Sequence, residues 1–206
     1  LSGYLTRKSG ISSNAPMIVM PHGGPAARDY LSYDLIAQYF VSQGYQIFQP
    51  NFRGSSGFGN AFMRAGHREW GGIMQDDITD GVMHLIETGQ ANRDKICIAG
   101  SSYGGYAALM GAIKTPDLYT CGVDYVGPSN LFTFFESMPP YMKPRMNMLY
   151  AAWYNPNIEE EKQIMKEVSP VLNIDKLNKP VFVIQGANDP RVNINEADQI
   201  VQEMRN

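Results

Sequence analysis

The residues best suited to chemistry lie in the stretch CIAGSSYGGYAAL, residues 97–109, where two serines stand in a frame of glycines. The motif Gly-x-Ser-x-Gly fits here as Gly100, Ser101, Ser102, Tyr103 and Gly104. That fit selects Ser102 as a candidate nucleophile and makes Ser101 the spacer. An apolar run before the motif and small, apolar residues after it predict a strand, a sharp turn and a helix, which together present a serine hydroxyl at the edge of a sheet. The alternative is a turn with a purely structural role.

A nucleophilic serine also needs donors for the negative charge that develops on the substrate carbonyl oxygen. The helix after Ser102 would point the N–H of Tyr103 and the positive end of its dipole at that oxygen. The sequence PHGGP, residues 21–25, directly follows the first strongly apolar run. Because glycine leaves the backbone uncovered, we expect Gly23 or Gly24 to supply the second N–H. The alternative is a Gly-Pro turn with no catalytic role.

The carboxylate partner of the serine is expected later in the chain, at the end of another strand. Asp189 meets that condition, because it lies in the turn-forming GANDP that follows the predicted strand 181–185. Asp117 lies too near the nucleophile in sequence, and Asp124 lies inside a predicted strand. We therefore predict that Asp189 is the acid.

No histidine of this chain lies where the general base of a serine, acid and histidine triad is expected. The chain contains His22, His67 and His84, whereas the order serine, acid, histidine requires one after Asp189. His22 adjoins the oxyanion loop, which favours a positioning role, while His67 lies in a polar stretch and His84 lies off the apolar face of its helix. Loss of the histidine costs about a millionfold in turnover. The 206-residue chain alone is therefore expected to be almost inactive.

Strands and helices alternate along the chain. Apolar runs predict strands near residues 17–20, 45–52, 95–100, 121–127 and 180–186, and the first ten residues also alternate like a strand. Helical spacing of apolar residues predicts helices between them, the first with a stripe made of Leu35, Ile36, Tyr39 and Phe40. Asp76 and Asp77 are candidate caps of the second helix. Short apolar strands separated by helices indicate a mostly parallel, doubly wound α/β sheet with helices on both faces.

Residues 130–179 interrupt this alternation with prolines, aromatic residues and an acidic cluster. In an α/β fold, such an insertion commonly lies over the carboxyl ends of the strands, where ligands bind. We expect most of its aromatic side chains to pack the insertion onto the body and a few to face a substrate. Cys97 and Cys121 each lie in an apolar run, and we favour buried free thiols over a disulfide.

Composition excludes several classes of function. The net charge of −3 provides no basic surface for nucleic acid. No apolar run approaches the roughly 18 residues that cross a bilayer, so no membrane partner is expected. No cluster of histidine and cysteine has metal-ligand spacing, and neither a phosphate loop nor a dinucleotide loop is complete, so no cofactor is predicted. The chain begins without methionine, and we expect it to be a piece of a longer protein.

Four motifs in this order, VMPHGGP, NFRGSSGFG, GSSYGGYAAL and GANDPRV, resemble the catalytic α/β-hydrolase domain of the prolyl oligopeptidase family of serine peptidases. The resemblance covers nearly the whole chain and is greatest to the acylaminoacyl-peptidase and dipeptidyl-peptidase-like branch. It implies one domain over residues 1–206, C-terminally incomplete, without the last strand and the loop that carries the catalytic histidine. It further implies an N-terminal β-propeller in the longer protein, and it leaves room for an oligomer.

The resemblance also implies roles for individual residues. Ser102 becomes the nucleophile and Asp189 the residue that orients the histidine. Arg191 matches a family arginine that binds a substrate carbonyl, with a surface salt bridge as the alternative. The pocket for the residue before the scissile bond would be lined by Val192 with Leu131 or Phe134. Arg53, in NFRGSSGFG, is expected to hold its loop by contacts with nearby carboxylates or carbonyls.

Three functions follow as hypotheses. The first is hydrolysis of short peptides through an acyl-enzyme, with the histidine beyond the end of this chain. The second is a carboxylesterase that uses the same triad. The third is a non-catalytic hydrolase-fold module that binds peptides or supports an oligomer, and it requires that no histidine follow Asp189 in the longer protein. The oligomeric state, the compartment and the preferred residue at the cleavage site stay open.

Overall fold

The computed structural model describes residues 1–206, which form a six-stranded sheet with helices on both faces. The strands are β1 (Ser2–Thr6), β2 (Met17–Val19), β3 (Gln46–Asn51), β4 (Ile96–Ser101), β5 (Cys121–Tyr125) and β6 (Val181–Ile184). The α-helices are α1 (Leu35–Ser42), α2 (Asn60–Arg64), α3 (Ile73–Glu87), α4 (Tyr103–Lys114), α5 (Leu131–Glu136), α6 (Met146–Ala152), α7 (Glu159–Glu167) and α8 (Asn195–Arg205). Two 3-10 helices cover Pro140–Arg145 and Pro170–Lys176. The predicted mostly parallel α/β sheet is thus confirmed.

The sheet has the strand order β1-β3-β2-β4-β5-β6, and all pairs except β1 with β3 are parallel. Ser101 of β4 lies opposite Tyr125 of β5, which in turn lies opposite Ile184 of β6. The carboxyl ends of these three strands are therefore level. Ligands of open α/β sheets bind at this edge.

The main core lies on one face of the sheet, under α3, α4 and α8. Ile96 and Ile98 of β4 point to this face and pack with α3 and α4, while Ile200 of α8 packs near Val181 and Val183 of β6. Such strands are continuous apolar runs because a parallel sheet is covered by helices rather than by water. On the other face, α1 covers β2 and β3.

The stripe predicted for α1 is wrong for three of its four residues, and only Phe40 packs against the cluster beneath the helix. Leu35, Ile36 and Tyr39 are 73%, 58% and 61% exposed, and the helix instead turns Ala37 and Val41 toward the sheet. The side chain of Asp34 caps the helix by accepting the N–H of Ala37, and its other carboxylate oxygen accepts from the side chain of Gln49 in β3, which ties the start of the helix to the sheet. The spacing of apolar residues thus predicts the helix, but apolar character alone does not identify its buried face.

The start of α3 also differs from the prediction. The helix begins at Ile73 after Gly72, not at a cap formed by Asp76 or Asp77. Both carboxylates lie inside the first two turns and form ion pairs, Asp76 with Lys114 and Asp77 with Arg53. The two aspartates therefore form ion pairs with residues distant in sequence and do not cap the helix.

The expectation of free thiols is corrected as well. Cys97 and Cys121 form a disulfide between the adjacent strands β4 and β5. The two residues are directly opposite in the register, with their Cα atoms 4.8 Å apart, a separation that a disulfide spans. Neither cysteine is fully buried, because both side chains point to the face that α1 covers only in part.

Residues 130–179 form α5, both 3-10 helices, α6 and α7. As expected from the sequence, aromatic side chains of this segment pack onto the body: Trp153 lies 5.0 Å from Trp70 between ring centroids, and Phe134 stacks on Trp153. Trp70 in turn lies 4.7 Å from Tyr103, the residue after the candidate nucleophile. None of the helices has the length and apolar character that crossing a membrane requires.

Candidate active site

Ser102 occupies the sharp turn between β4 and α4. Its backbone adopts φ 57° and ψ −119°, a conformation that costs a non-glycine residue about 1–3 kcal/mol. Its N–H donates to the carbonyl oxygen of Tyr125 at 2.9 Å, which joins the turn to the end of β5. Ser101, by contrast, is the last residue of β4 and exposed. The structure therefore places Ser102, and not Ser101, in the strained position that the motif requires.

Glycines make this turn sterically feasible. A Cβ atom on Gly100 would overlap the backbone of Gly104, and one on Gly104 would overlap the carbonyl oxygen of Pro21. The strand, the new helix and the PHGGP loop therefore meet with no room for side chains. This close approach is the physical reason for the glycine frame around the serine.

The PHGGP loop lies beside the turn. A Cβ atom on Gly23 would lie 3.5 Å from the Cβ atom of Ser102 and 2.9 Å from the carbonyl oxygen of Ser101. The N–H groups of Gly23 and Gly24 donate to no acceptor in the protein, and Gly24 is exposed. On the other side of Ser102, the first N–H groups of α4 have no partner within the helix. Free backbone donors thus flank the serine on two sides.

His22 has both ring nitrogens engaged and is not available as a base. Nδ1 lies 2.8 Å from the carbonyl oxygen of Gly23, and Nε2 lies 2.8 Å from Oγ of Ser55. The ring stacks on Phe52 at 4.4 Å between centroids. Burial lowers the pKa of His22 below its usual value, so the imidazole is neutral at pH 7. His67 and His84 are both exposed.

Arg53 has the structural role that the sequence predicts. Its backbone N–H and its Nε both donate to Oδ2 of Asp77 at 2.8 Å, and its Nη2 contacts Oδ1. The Asp77 side chain is only 2% exposed, whereas Arg53 is 37% exposed. The pair anchors the glycine-rich loop that begins at Arg53 and includes Ser55.

Asp189 follows β6 in the loop before α8, at the same edge of the sheet as Ser102. Its Oδ1 accepts the N–H groups of Arg191 and Val192 at 2.8 and 2.9 Å, and its Oδ2 accepts no hydrogen bond from the protein. The ends of β4 and β6 are two strand spacings apart, or about 10 Å. Ser102 and Asp189 thus follow strands of the same sheet at its carboxyl edge, with β5 between them.

The two rival acids are placed elsewhere. Asp117 is exposed in the turn after α4, away from the carboxyl edge of the sheet. Asp124 is buried inside β5, where Oδ1 accepts the N–H of Gly127 at 2.8 Å and abuts Gly105. Burial raises the pKa of Asp124 to about 7. Its carboxyl group supports the underside of α4 and does not face a substrate.

No local sequence pattern points to Glu196, which is fully buried at the start of α8. Its Oε2 accepts the N–H groups of Ser129 and Asn130 at 2.8 and 2.9 Å, and Oε1 accepts from Thr133. Burial raises the pKa of Glu196, while these hydrogen bonds oppose the shift. The network ties the helix after Asp189 to the start of α5, across 67 residues of sequence.

The predicted substrate-contact residues divide into two groups. Leu131, Phe134 and Val192 are 1%, 4% and 3% exposed and belong to the main core. Arg191 is exposed, and its Nη1 lies 3.4 Å from Sδ of Met142 with no carboxylate partner. The alternative of a surface salt bridge for Arg191 is therefore wrong.

An open apolar cavity of about 500 Å³ adjoins the PHGGP loop. Its lining includes Gly24, Pro25, Gly54, Met148, Leu149 and Trp153. Phe134 stacks behind Trp153 at 6.0 Å between centroids and so forms a second layer of the wall. Arg64 and His67 lie at the cavity and are exposed.

The model of the prolyl oligopeptidase family matches residues 31–206 of the chain, which include the strained Ser102 and Asp189. The chain belongs to the prolyl oligopeptidase family. It is 41% identical over 213 residues to dipeptidyl aminopeptidase BIII of Pseudoxanthomonas mexicana, an alignment that covers 100% of this chain and 31% of that protein. It is 42% identical over 186 residues to dipeptidyl peptidase family member 6 of Caenorhabditis elegans, covering 90% of this chain and 25% of that protein.

Among solved structures, the fold of this family member is similar to that of a puromycin-hydrolysing peptidase of Mycobacterium tuberculosis. The TM-score is 0.87 at 27% identity, and the match covers 98% of this chain and 31% of the other. The chain thus spans about a third or less of the length of these relatives. The family match confirms the resemblance seen in the four motifs, and the structural match confirms the α/β-hydrolase fold.

Proposed function

We propose that this family member is the catalytic part of a serine peptidase that hydrolyses short peptides. One observation carries the proposal: Ser102 is held at positive φ between β4 and α4, beside the free N–H groups of Gly23 and Gly24. A buried core residue would not need this strain, and a structural turn would not need free donors on two sides. Relatives named as dipeptidyl peptidases support peptide substrates.

In the proposed reaction, Oγ of Ser102 attacks the carbonyl carbon of the scissile bond, and its proton passes to a histidine beyond residue 206. Asp189 orients that imidazole through its free Oδ2. The N–H of Tyr103 and that of Gly23 or Gly24 stabilise the resulting oxyanion. The histidine then protonates the amine that leaves. Water next attacks the acyl carbon and gives a proton to the histidine, which returns it to Oγ of Ser102 as the acid product is released.

The cavity beside Gly24 is the proposed pocket for an apolar side chain of the substrate. The cavity is open and apolar. The three residues expected from the sequence to line the pocket, Val192, Leu131 and Phe134, are instead buried. We assign Phe134 to a second layer that holds Trp153 in the wall of the cavity. Leu131 and Val192 belong to the core against which Phe134 and Trp153 pack. Arg191 is the proposed donor to a substrate backbone carbonyl, because its guanidinium is exposed and free of carboxylates.

The proposal is tested by comparing turnover of dipeptide anilides with that of p-nitrophenyl esters by the full-length protein. A peptidase is expected to prefer the anilides in kcat/KM for a matched acyl group. Turnover of esters alone would instead favour the carboxylesterase, which uses the same residues. Absence of a histidine after Asp189 in the full-length sequence would favour the non-catalytic module. Ser102→Ala is the matched control in each assay.

A further inference from the structure

A short backbone segment, residues 125–130, joins β5 to α5 and contacts the Ser102 turn at its start. There the carbonyl oxygen of Tyr125 accepts the N–H of Ser102 at 2.9 Å. The next residue, Val126, has φ 52°, a costly conformation for a β-branched side chain that persists only where several contacts impose it. The segment 125–130 is therefore held in place by its surroundings and not by its own conformational preferences.

The hydrogen bonds of this segment identify those surroundings. Its first two free N–H groups donate to acceptors in β6 and β5, and Pro128 has no N–H. The last two N–H groups, those of Ser129 and Asn130, both donate to one atom, Oε2 of Glu196, at 2.8 and 2.9 Å. Oγ of Ser129 also donates to the carbonyl oxygen of Glu196 at 2.6 Å, and Oε1 accepts from Thr133. Because Glu196 is fully buried, water does not replace these bonds.

Glu196 is also linked to Asp189 through the loop before α8, residues 185–195, which we name the Asp189 loop. The N–H of Glu196 donates to the carbonyl oxygen of Asn193 at 2.9 Å. Oδ1 of Asp189 accepts the N–H of Val192, whose carbonyl oxygen accepts from the side chain of Gln185 at 2.9 Å. The Asp189 loop is therefore fixed to β6 at one end and, through Glu196, to the segment 125–130 at the other.

We infer that Glu196 is a positioning residue, which holds the Asp189 loop against the same backbone segment that anchors Ser102. The two proposed catalytic side chains then share one frame, although they follow different strands. The inference rests on the proposed function, since the placement of Asp189 affects turnover only if it orients a histidine toward Ser102. Glu196 is buried and acts through the loop and the segment, so its effect is expected in kcat.

Three variants of the full-length protein separate this role from general stabilisation. In Glu196→Gln the amide oxygen can still accept the N–H groups of Ser129 and Asn130, and the amide nitrogen can donate to Thr133. In Glu196→Ala both N–H groups lose their acceptor. Ile200→Ala is the matched control, because Ile200 is equally buried in the same helix and contributes only apolar packing. The values of kcat, KM and the melting temperature are measured for each variant.

We expect Glu196→Ala to lower kcat by about 10- to 100-fold, because a small displacement of a catalytic group has a cost of this size. Glu196→Gln is expected to keep kcat within about threefold of the wild type. Ile200→Ala is expected to do the same although its melting temperature falls, since it creates a cavity away from the Asp189 loop. A loss of kcat in Ile200→Ala or Glu196→Gln equal to that in Glu196→Ala would overturn the inference.

A double-mutant cycle tests whether the effect passes through Asp189. Asp189→Asn alone is expected to lower kcat by up to about 10⁴-fold. In that background Glu196→Ala should cost less than about threefold, because the side chain that it positions no longer orients the histidine. The same loss in both backgrounds would overturn the inference. If Glu196→Ala does not fold, Thr133→Val, which removes only the donor to Oε1, takes its place in the cycle with an expected loss of about fivefold.

Failure of the proposed function is distinguishable from failure of this inference. If the wild type cleaves esters but not peptides, the proposed function is wrong, and the same cycle on the ester still decides the role of Glu196. If the wild type cleaves neither, both are wrong.

Amide hydrogen exchange follows the Asp189 loop without turnover. In Glu196→Ala, or in Thr133→Val if it is used instead, the N–H groups of Arg191 and Val192 are expected to exchange at least about tenfold faster than in Ile200→Ala. Both N–H groups donate to Asp189, so their exchange reports local opening around this carboxylate. Equal exchange rates in the two variants would overturn the inference even if kcat falls.

Discussion

The carboxylate of Asp77 accepts hydrogen bonds from both the backbone N–H and the guanidinium of Arg53, 24 residues earlier in the chain. One buried side chain thereby holds both the backbone and the side chain of the residue that opens the glycine-rich loop. Since Ser55 lies in this loop, the pair also supports the contact with His22.

Asp77→Asn is therefore expected to lower the free energy of unfolding by about 2 kcal/mol. The loss stays below that of a fully buried pair because Arg53 is 37% exposed and water can solvate its charge. The adjacent variant Asp76→Asn is the matched control. Asp76 pairs with Lys114 at the surface, and a loss below about 1 kcal/mol is expected. Urea denaturation of both variants measures the difference, and equal losses would contradict the buried role.

Ser102 is held in a strained backbone conformation, and the free energy of that strain can be measured by comparing two substitutions. Ser102→Gly relieves the cost of φ 57°, whereas Ser102→Ala retains it. After allowance for the greater freedom of glycine in the unfolded chain, Ser102→Gly should be more stable than Ser102→Ala by about 1 kcal/mol. At Ser101, which lies in β4, the order should reverse, with alanine the more stable. Alanine more stable than glycine at both positions would show that the turn is unstrained.

Much of this site could be predicted from the sequence because its signals are local. The glycine frame, the apolar run before it and the small residues after it identify Ser102 without any knowledge of the fold. Asp189 is similar, since a turn after an apolar strand places it at the edge of the sheet. In each case neighbouring residues in the chain carry the information.

The errors share a different physical cause, namely contacts between distant segments. The face of α1 depends on where the sheet lies, and the pairing of Cys97 with Cys121 depends on the register between two strands. Likewise, Ser55 lies 33 residues from His22 in sequence, and Glu196 lies 67 residues from Ser129. Composition and periodicity of one chain contain no record of such pairs.

The buried carboxyl group of Asp124 predicts a specific pH dependence of stability. Its pKa is about 7 in the folded protein and near 3.8 when exposed, so the folded state retains a proton that the unfolded state releases between these values. Its contribution to stability is therefore complete below pH 4 and is lost as the pH rises to about 7. Asp124→Asn removes this titration and can keep the acceptor for Gly127.

Urea denaturation at pH 5 and pH 8 tests this directly. Relative to the wild type, Asp124→Asn should gain on the order of 1–3 kcal/mol of stability at pH 8 compared with pH 5. The exposed Asp117 provides the control, and Asp117→Asn should leave the pH dependence of the wild type unchanged. Parallel pH curves for the wild type and Asp124→Asn would show that Asp124 is ionised throughout this range.

The central claim is that Ser102 is a nucleophile, and covalent labelling of the full-length protein with a fluorophosphonate measures it most directly. Mass spectrometry is expected to locate one adduct, on Ser102, with no labelling in Ser102→Ala. Ser101→Ala should be labelled at a rate within about threefold of the wild type, because Ser101 is only the spacer. Equal labelling of the wild type and Ser102→Ala, or an adduct confined to another residue, would contradict the account.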